Sequence, residues 1–344
     1  MVTEMSDQSE PLVSVITPMY NNAEYVAECI ESVRAQTYKN WDYVIVNNCS
    51  TDGSGEIARQ LTKGDSRIRV IDNDKLLPVL VNHNHALRQI SSNSKYCKIV
   101  FSDDWIFPRC IEEMVAVAEA NPSVAMVGAY AIEGNEIKWD GLPPLEYKHS
   151  GSYVARRYLL EDMFSRDGSV FGSANNLLFR SDIVRSRDPF FDETHPQGDR
   201  EVTIALLRKH DYGFVPQVLT FTRLRIGSLT DEANEIHSYI SGALRNLTRH
   251  GREFLTLAEY EACFNRLIAE YYNYLAINLV LKRRDSAFWN YHARRLAECD
   301  VKFSRFRLAA ATIARAARGA LNLYETYEKL SKLKQSESSG THPL

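Results

Sequence analysis

Along the first hundred positions, apolar residues come in short runs that alternate with polar loops. Leu12 to Thr17, "LVSVIT", is β-branched and almost continuously apolar, as expected of a strand covered on both faces. "PMYNN" (18–22) breaks the run. Val26, Ile30 and Val33 then recur at helical spacing with Cys29 beside them, which predicts an amphipathic helix over about 23–36. "WDYVIV" (41–46) reads as a second strand and "NNCSTDGSG" (47–55) as a loop. Ile57, Ala58 and Leu61 mark the apolar side of a second helix. A third strand at 68–72, a helix at 79–90 and a strand at 97–101 complete the alternation. The pattern implies an α/β fold with a mostly parallel, Rossmann-like sheet and right-handed crossovers. Such sheets bind ligands at the carboxyl ends of their strands, where strand order reverses. "PMYNN", "NNCSTD" and "SDDW" (102–105) all lie at those ends.

Past residue 104 the pattern changes. "IEEMVAVAEA" is helical, "VAMVGAY" (124–130) is a strand, and 131–170 is aromatic and Gly/Pro-punctuated without a clear period. "NNLLFRSDIV" (175–184) and "YGFVPQVLTFTRL" (212–224) bracket a helix-like "DREVTIALLRKH" (199–210). From 231 to 334 the periodicity is almost purely helical, while 1–10 and 335–344 read as disordered ends. The last helix sets Phe306, Ala310, Ile313, Ala317, Leu321 and Tyr324 on one side, with Arg307, Arg315, Arg318 and Lys329 on the other. Two readings stay open for it: a helical cap or homo-oligomer interface, or a peripheral contact with an anionic membrane.

Composition narrows the class. The chain has 344 residues, 44% hydrophobic and 25% charged, with a net charge of −3, so nothing global points to nucleic acid. Six cysteines are scattered without a C-x-x-C pair, which suggests reduced thiols rather than a disulfide frame or zinc site. The acidic, polar first ten residues do not resemble a signal peptide, and no apolar stretch approaches the ~20 residues of a membrane span. The expected location is the cytoplasm or the cytoplasmic face of a membrane.

The chemistry concentrates at the sheet rim. Asp103 and Asp104 follow the strand at 97–101. A doublet of this kind usually caps a helix, but it also suits a hard cation such as Mg²⁺ or Mn²⁺ whose other ligands come from phosphates. Gly53-x-Gly55-x-x-Ala58 imitates a dinucleotide fingerprint, yet six residues separate Val46 from Gly53, and Asn47, Asn48 and Ser50 occupy the strand end instead. His83 and His85 alternate across a helix and make poor joint ligands. Asp199, after Gly198 at the start of an amphipathic helix, is either an N-cap or a carboxylate base.

Taken together, "VSVITPMYNNAEYVAECIESVRAQTYKNWDYVIVNNCSTDGS", "VNHNHALRQ", "IVFSDDWIFP", "GSANNLLFR", "FFDE…GDREV" and "RLRIGSLT" resemble, in order, the family-2 inverting glycosyltransferases of the GT-A fold. The resemblance covers roughly 11–230, with a nucleotide-binding half (11–104), an acceptor-side half (105–230) and a helical C-terminal extension (231–334) outside it. It implies a nucleotide-diphosphate sugar donor, a UDP-sugar foremost, a divalent metal, and a glycan or lipid-linked acceptor. Carried onto this chain, Pro18 and Tyr20 would line the base pocket, and Asn48 would stand where the family's base-reading Asp does. Asp103 would contact the ribose, Asp104 would hold the metal, and Asp199 would be the catalytic base. Arg225 takes the place of a histidine; it would pair with the diphosphate, since an Arg cannot ligate metal. Asn47-Asn48 in place of an acidic pair weakens any inference about the base. Two other functions remain open: a nucleotidyltransferase that makes an activated sugar, and a non-catalytic nucleotide-sugar binder. "TPMYNNAEY" lacks the Gly-rich, basic loop that the first would want.

Overall fold

The structure, a computed structural model, describes residues 10–138, 142–143, 145–164, 170–225, 236–282 and 284–321, the side chains of 282 and 319–321 excepted. The expected disordered start, the flexible tail and the charged end of the last helix (Tyr324, Lys329 and beyond) lie outside them.

The predicted alternation forms. Strands β1 (Val13–Met19), β2 (Trp41–Asn47), β3 (Ile68–Asp72) and β4 (Tyr96–Ile99) pair in parallel in the order β3-β2-β1-β4. β1 is buried along its whole length, which is why its sequence shows a continuous apolar run instead of alternation. Helices α1 (Val26–Arg34) and α2 (Ser54–Thr62) provide the crossovers between these strands, and α1 buries the four residues read from its spacing: Val26, Cys29, Ile30 and Val33. α1 begins later than its hydrophobic spacing suggests, because the Asn22 carbonyl accepts from the N–H groups of both Tyr25 and Val26 and closes a turn. Gly53 adopts φ +93° at the entry to α2, a turn-making role distinct from that of a dinucleotide-binding glycine.

After β3, helix α3 (Val79–Leu87) returns the chain to the far side of β1. Strand order therefore reverses between β1 and β4, and the three polar loops surround that switch point. Beyond β4 the sheet turns mixed. A short strand β5 (Trp105–Ile106) leads to helix α4 (Cys110–Ala120) and then to β6 (Val124–Glu133). Short strands β7 (Glu136–Lys138) and β8 (Lys148–His149) hang off β6 and a later strand, β10 (Asp211–Thr222), respectively. Helices α5 (Gly151–Leu160) and α6 (Ser181–Ser186) flank β9 (Leu178–Arg180), which runs antiparallel to both β4 and β6. Helix α7 (Gly198–Leu207) precedes β10 (Asp211–Thr222), which is parallel to β6, with β5 antiparallel at its edge. The β10 register shifts between Val215 and Val218, around Pro216, which has no N–H to give the ladder.

This sheet unit extends to Tyr260 and includes the helix Ser238–Phe254. The second compact unit, Glu261–Leu344, is helical among its described residues, with the helices Ser286–Ala297 and Arg305–Leu321. Within it Tyr271 Oη lies 2.8 Å from His292 Nδ1, and Tyr272 Oη accepts from the Ser304 N–H at 2.7 Å. All six cysteines are free. Among the described residues no helix is long and apolar enough to cross a membrane.

Candidate active site

At the end of β1, Pro18 is buried in the strand and Tyr20 emerges 44% exposed. Asn21 takes a positive φ of 49°, and its backbone N–H donates to Ser50 Oγ at 3.0 Å. Asn22 binds the neighbouring rim loops: its N–H donates to Ser54 Oγ at 2.8 Å and its amide to Ser102 Oγ at 2.5 Å. The ends of β1, β2 and β4 are thus sewn together by hydroxyls and amides.

Asn48 is buried, and most of its amide is engaged with protein. Its Oδ1 accepts from Asn73 Nδ2 at 2.8 Å and from the Leu77 N–H at 2.9 Å, while its Nδ2 donates to the Leu77 carbonyl at 2.9 Å. Asn73 also donates to Asn82 on α3. The amide at 48 therefore shapes the 73–77 loop, with one N–H left without a partner among the described residues. An aspartate there would lose the bond to the Leu77 carbonyl, which gives the asparagine a local reason. Two buried acceptors of this rim, Asn22 Oδ1 and Asn73 Oδ1, have no hydrogen-bond partner among the described residues.

The acidic pair sits where β4 ends. Phe101 leaves the ladder, and the Asp104 N–H donates back to its carbonyl to form a turn. Asp104 is 3% exposed; its Oδ1 accepts from the Arg223 N–H at 2.8 Å, and its Oδ2 has no hydrogen bond among the described residues. Burial and the neighbouring Asp103 push its carboxyl well above the usual range, opposed by the Arg223 N–H and by the charges of Arg223 and Lys98. Lys98, fully buried on β4, donates to the carbonyls of Ile99, Asn175 and Leu177.

Arg223 clasps the turn. Its Nε donates to the Asp103 carbonyl at 3.0 Å, its guanidinium pairs with Glu28, and its Cζ lies 4.5 Å over the Tyr25 ring and 5.5 Å over Phe221. Arg225 Nε donates to Asp103 Oδ2 at 2.8 Å. The two arginines at the end of β10 thus meet the two aspartates at the end of β4.

Asp199 lies half-buried in the first turn of α7. Burial lifts its carboxyl, opposed by the Arg200 charge and by backbone N–H groups, among them that of Arg200, which donates to it at 2.9 Å. Its segment is held from outside. Gly198 packs so tightly that a Cβ would come 2.3 Å from the Asp192 carbonyl oxygen. Asn84 of α3 accepts from the Phe191 N–H at 2.8 Å and donates to the Phe191 carbonyl and to Glu193. The neighbouring His83 stacks on Phe101 at 5.0 Å and meets Phe191 edge-on at 6.4 Å. Adjacent residues of α3 therefore bridge the chain leading to Asp104 and the chain leading to Asp199. His83 is a packing ring, as its spacing from His85 suggests, with burial pushing it down to about 4.

A family model described as "Glycosyl transferase family 2" matches residues 14–185, half of the chain, and takes in β1 to β4 and the acidic turn. The chain belongs to glycosyl transferase family 2. Similar proteins include the putative teichuronic acid biosynthesis glycosyltransferase TuaG of Bacillus subtilis, 32% identical over 41% of this chain and 54% of that protein. The chain spans about half the length, or less, of the curated relatives it matches. Among solved structures, S. aureus TarS 1–349 in complex with UDP-GlcNAc superposes with a TM-score of 0.61 at 16% identity, over 88% of both chains. The mannosyltransferase PcManGT of Pyrobaculum calidifontis, in complex with GDP-Man and Mn²⁺, gives 0.52 at 16% over 93% of this chain and 84% of its own. Both likenesses bear on the fold, which is of the GT-A type.

Asn84 and Arg223 lie inside motifs that the family resemblance already quotes, yet their roles depend on partners more than a hundred residues away. Only the amide between two histidines and the arginine pair around Leu224 hint at them.

Proposed function

We propose that this chain is an inverting glycosyltransferase. It would move a sugar from a nucleoside diphosphate donor to a hydroxyl of a glycan or lipid-linked glycan. The observation that carries the reading is Asp104: a carboxyl at the switch point, lifted by burial and a like-charged neighbour, with one oxygen fixed by a backbone N–H and the other left without a protein partner.

Those features fit a hard divalent cation, Mg²⁺ or Mn²⁺, that takes most of its ligands from a diphosphate. Among the described residues no group of three or more acidic, His or Cys side chains could hold a metal by itself. When bound, such an ion offsets the charge that develops on the leaving diphosphate. The GDP-Man and Mn²⁺ of PcManGT support this assignment. Arg225, now on Asp103, would exchange that carboxylate for a phosphate oxygen and leave Asp103 for the ribose; the reading draws support from their 2.8 Å bond. Tyr20 offers its ring to the base, beside Pro18 and the loop that Asn48 shapes. The UDP-GlcNAc of TarS supports a uridine donor.

Asp199 accepts the proton of the acceptor hydroxyl as its oxygen bonds to the anomeric carbon. The bond from that carbon to the phosphate oxygen breaks in the same displacement, and its electron pair leaves with the nucleoside diphosphate. A carboxyl lifted by burial is a stronger base than an exposed one. Six free cysteines suit a reducing, cytoplasmic setting.

The test is a panel of nucleotide sugars in thermal-shift assays with and without Mn²⁺, followed by transfer assays with the donors that bind. A true donor raises the melting temperature more with metal than without. Failure of every nucleotide sugar to shift the melt would remove the reading.

A further inference from the structure

We propose that the helix Arg305–Leu321 docks flat on an anionic phospholipid surface. The stripe Phe306–Ala310–Ile313–Ala317 would enter the headgroup region, and the arginines beside it would meet the lipid phosphates.

The observation behind this is the direction of the helix's apolar side. At 100° per residue, positions 306, 310, 313 and 317 fall within about a 60° sector. Leu308, Ala311 and Thr312, on the opposite side, are half-buried, and the other side chains of 305–318 are exposed. The apolar stripe consequently faces water: Phe306 is 83% exposed and Ile313 69%. A protein that only needed this helix as a cap would turn that stripe inward, because leaving large apolar side chains wet forfeits their burial.

Charge selects the occupant. "RFRLAAATIARAARGAL" contains four arginines and no acidic residue. None of Arg305, Arg307, Arg315 and Arg318 pairs with a carboxylate among the described residues, although most arginines of the sheet unit do. Arg307 and Arg318 project from one edge of the stripe and Arg305 from the other, where long cationic side chains can reach headgroups while their stems stay apolar. A second copy of the chain packed on the same stripe would set unpaired arginines against unpaired arginines with no carboxylate on either helix to meet them. An anionic bilayer supplies both the apolar layer and the countercharge. The start of the helix is anchored to its unit, since Ser304 N–H donates to Tyr272 Oη and Ser304 Oγ accepts from the Arg307 N–H at 3.2 Å. The inference does not depend on the catalytic reading, although it would suit an acceptor carried on a lipid.

The experiment is co-sedimentation of the full chain with vesicles of phosphatidylcholine containing phosphatidylglycerol, and with phosphatidylcholine alone. The anionic vesicles should bind at least about tenfold more protein, and raising salt from about 0.05 to 0.5 M should release it. Phe306→Asp with Ile313→Asp should abolish binding while the circular dichroism spectrum and the nucleotide-sugar thermal shift stay unchanged. Arg307→Gln and Arg318→Gln should each weaken binding about fivefold. Phe306→Trp should give fluorescence that moves to shorter wavelength on anionic vesicles only. The proposal falls if the wild-type chain stays in the supernatant, if the double Asp variant still sediments, or if the tryptophan emission does not move. It also falls if light scattering shows a lipid-free dimer that the double variant dissolves, because a second copy would then own the stripe.

Discussion

Two acidic segments of the sheet unit are built on opposite plans. The Asp103–Asp104 turn is gripped directly: Arg223 gives its backbone N–H to Asp104 and its guanidinium to the Asp103 carbonyl, and Arg225 takes the Asp103 carboxylate. Among the described residues the Asp199 carboxyl is met only by local backbone N–H groups, while the segment that carries it is fastened at Gly198, Asp192 and Phe191. The contrast would suit the two proposed tasks. A carboxylate that shares a cation with a diphosphate must hold a fixed position, whereas one that takes a proton needs a lone pair left free on a frame that does not drift.

The largest expected effects separate these tasks. Asp199→Asn should lower transfer by about 10²–10⁴-fold and leave the metal-dependent donor shift in the melting curve intact. Asp104→Asn should erase that shift while the protein without ligand is no less stable, because burial and Asp103 disfavour the charged form of this carboxyl and an amide oxygen can still accept the Arg223 N–H. If both variants behaved alike in the melting assay, the division of labour would be wrong.

Next in size is the clamp on the segment that carries Asp199. Asn84→Ala strands the Phe191 N–H and carbonyl and should cost about 1–3 kcal/mol of stability, measured by chemical denaturation. Asn84→Asp keeps the acceptor for the Phe191 N–H, loses the two donations, and sets a charge beside Glu193, so it should not rescue. On the other segment, Arg223→Ala keeps the N–H to Asp104 but withdraws the guanidinium from Tyr25, Phe221 and the Asp103 carbonyl. The apparent affinity for Mn²⁺, read from melting shifts at fixed donor, should weaken about tenfold. Arg223→Lys should recover little, since an ammonium lacks the planar face that stacks. An unchanged metal titration for Arg223→Ala would make this arginine a surface residue only.

What the sequence revealed follows the same divide. Parallel strands buried on both faces announce themselves as apolar runs, as β1, β2 and β4 do; with the half-exposed edge strand β3 between them, their order of appearance was legible from residues 12–101 alone. The rim loops were legible too, because Asn, Ser and Asp at strand ends have few other reasons to cluster. The mixed half was harder. β9 is three residues long, and β10 carries a bulge at Pro216, so neither has a period to read. Partnerships such as Asn84 with Phe191, or Arg223 with Asp104, join residues more than a hundred positions apart and leave no local mark. Asn48 shows the limit in the other direction: its place in the motif was visible, but its commitment to Leu77 was not.

The smallest effect concerns the ring that spans the two segments. Half-buried between Phe101 and Phe191, His83 is pushed down to about 4, whereas the unfolded chain would titrate it near 6.5. Between those values the unfolded state binds a proton that the folded state refuses, so stability contributed at neutral pH drains away as pH falls from about 6.5 toward 4. Asp192 works in a lower window. Burial would raise its carboxyl, but Thr194, Arg249 and Arg245 together hold it below the ordinary range, so its contribution is present above about 4 and is lost as pH falls below that. The melting temperature of His83→Phe, which keeps a ring between its neighbours, should therefore lie closer to wild type at pH 7 than the wild type's own fall of a few degrees by pH 4.5, and its curve should be flatter over that interval. Asp192→Asn should leave the slope of the same interval unchanged and flatten the profile only below about pH 4. A His83→Phe curve parallel to wild type from pH 7 to 4.5 would mean that the bridging ring is not kept neutral by its aromatic neighbours.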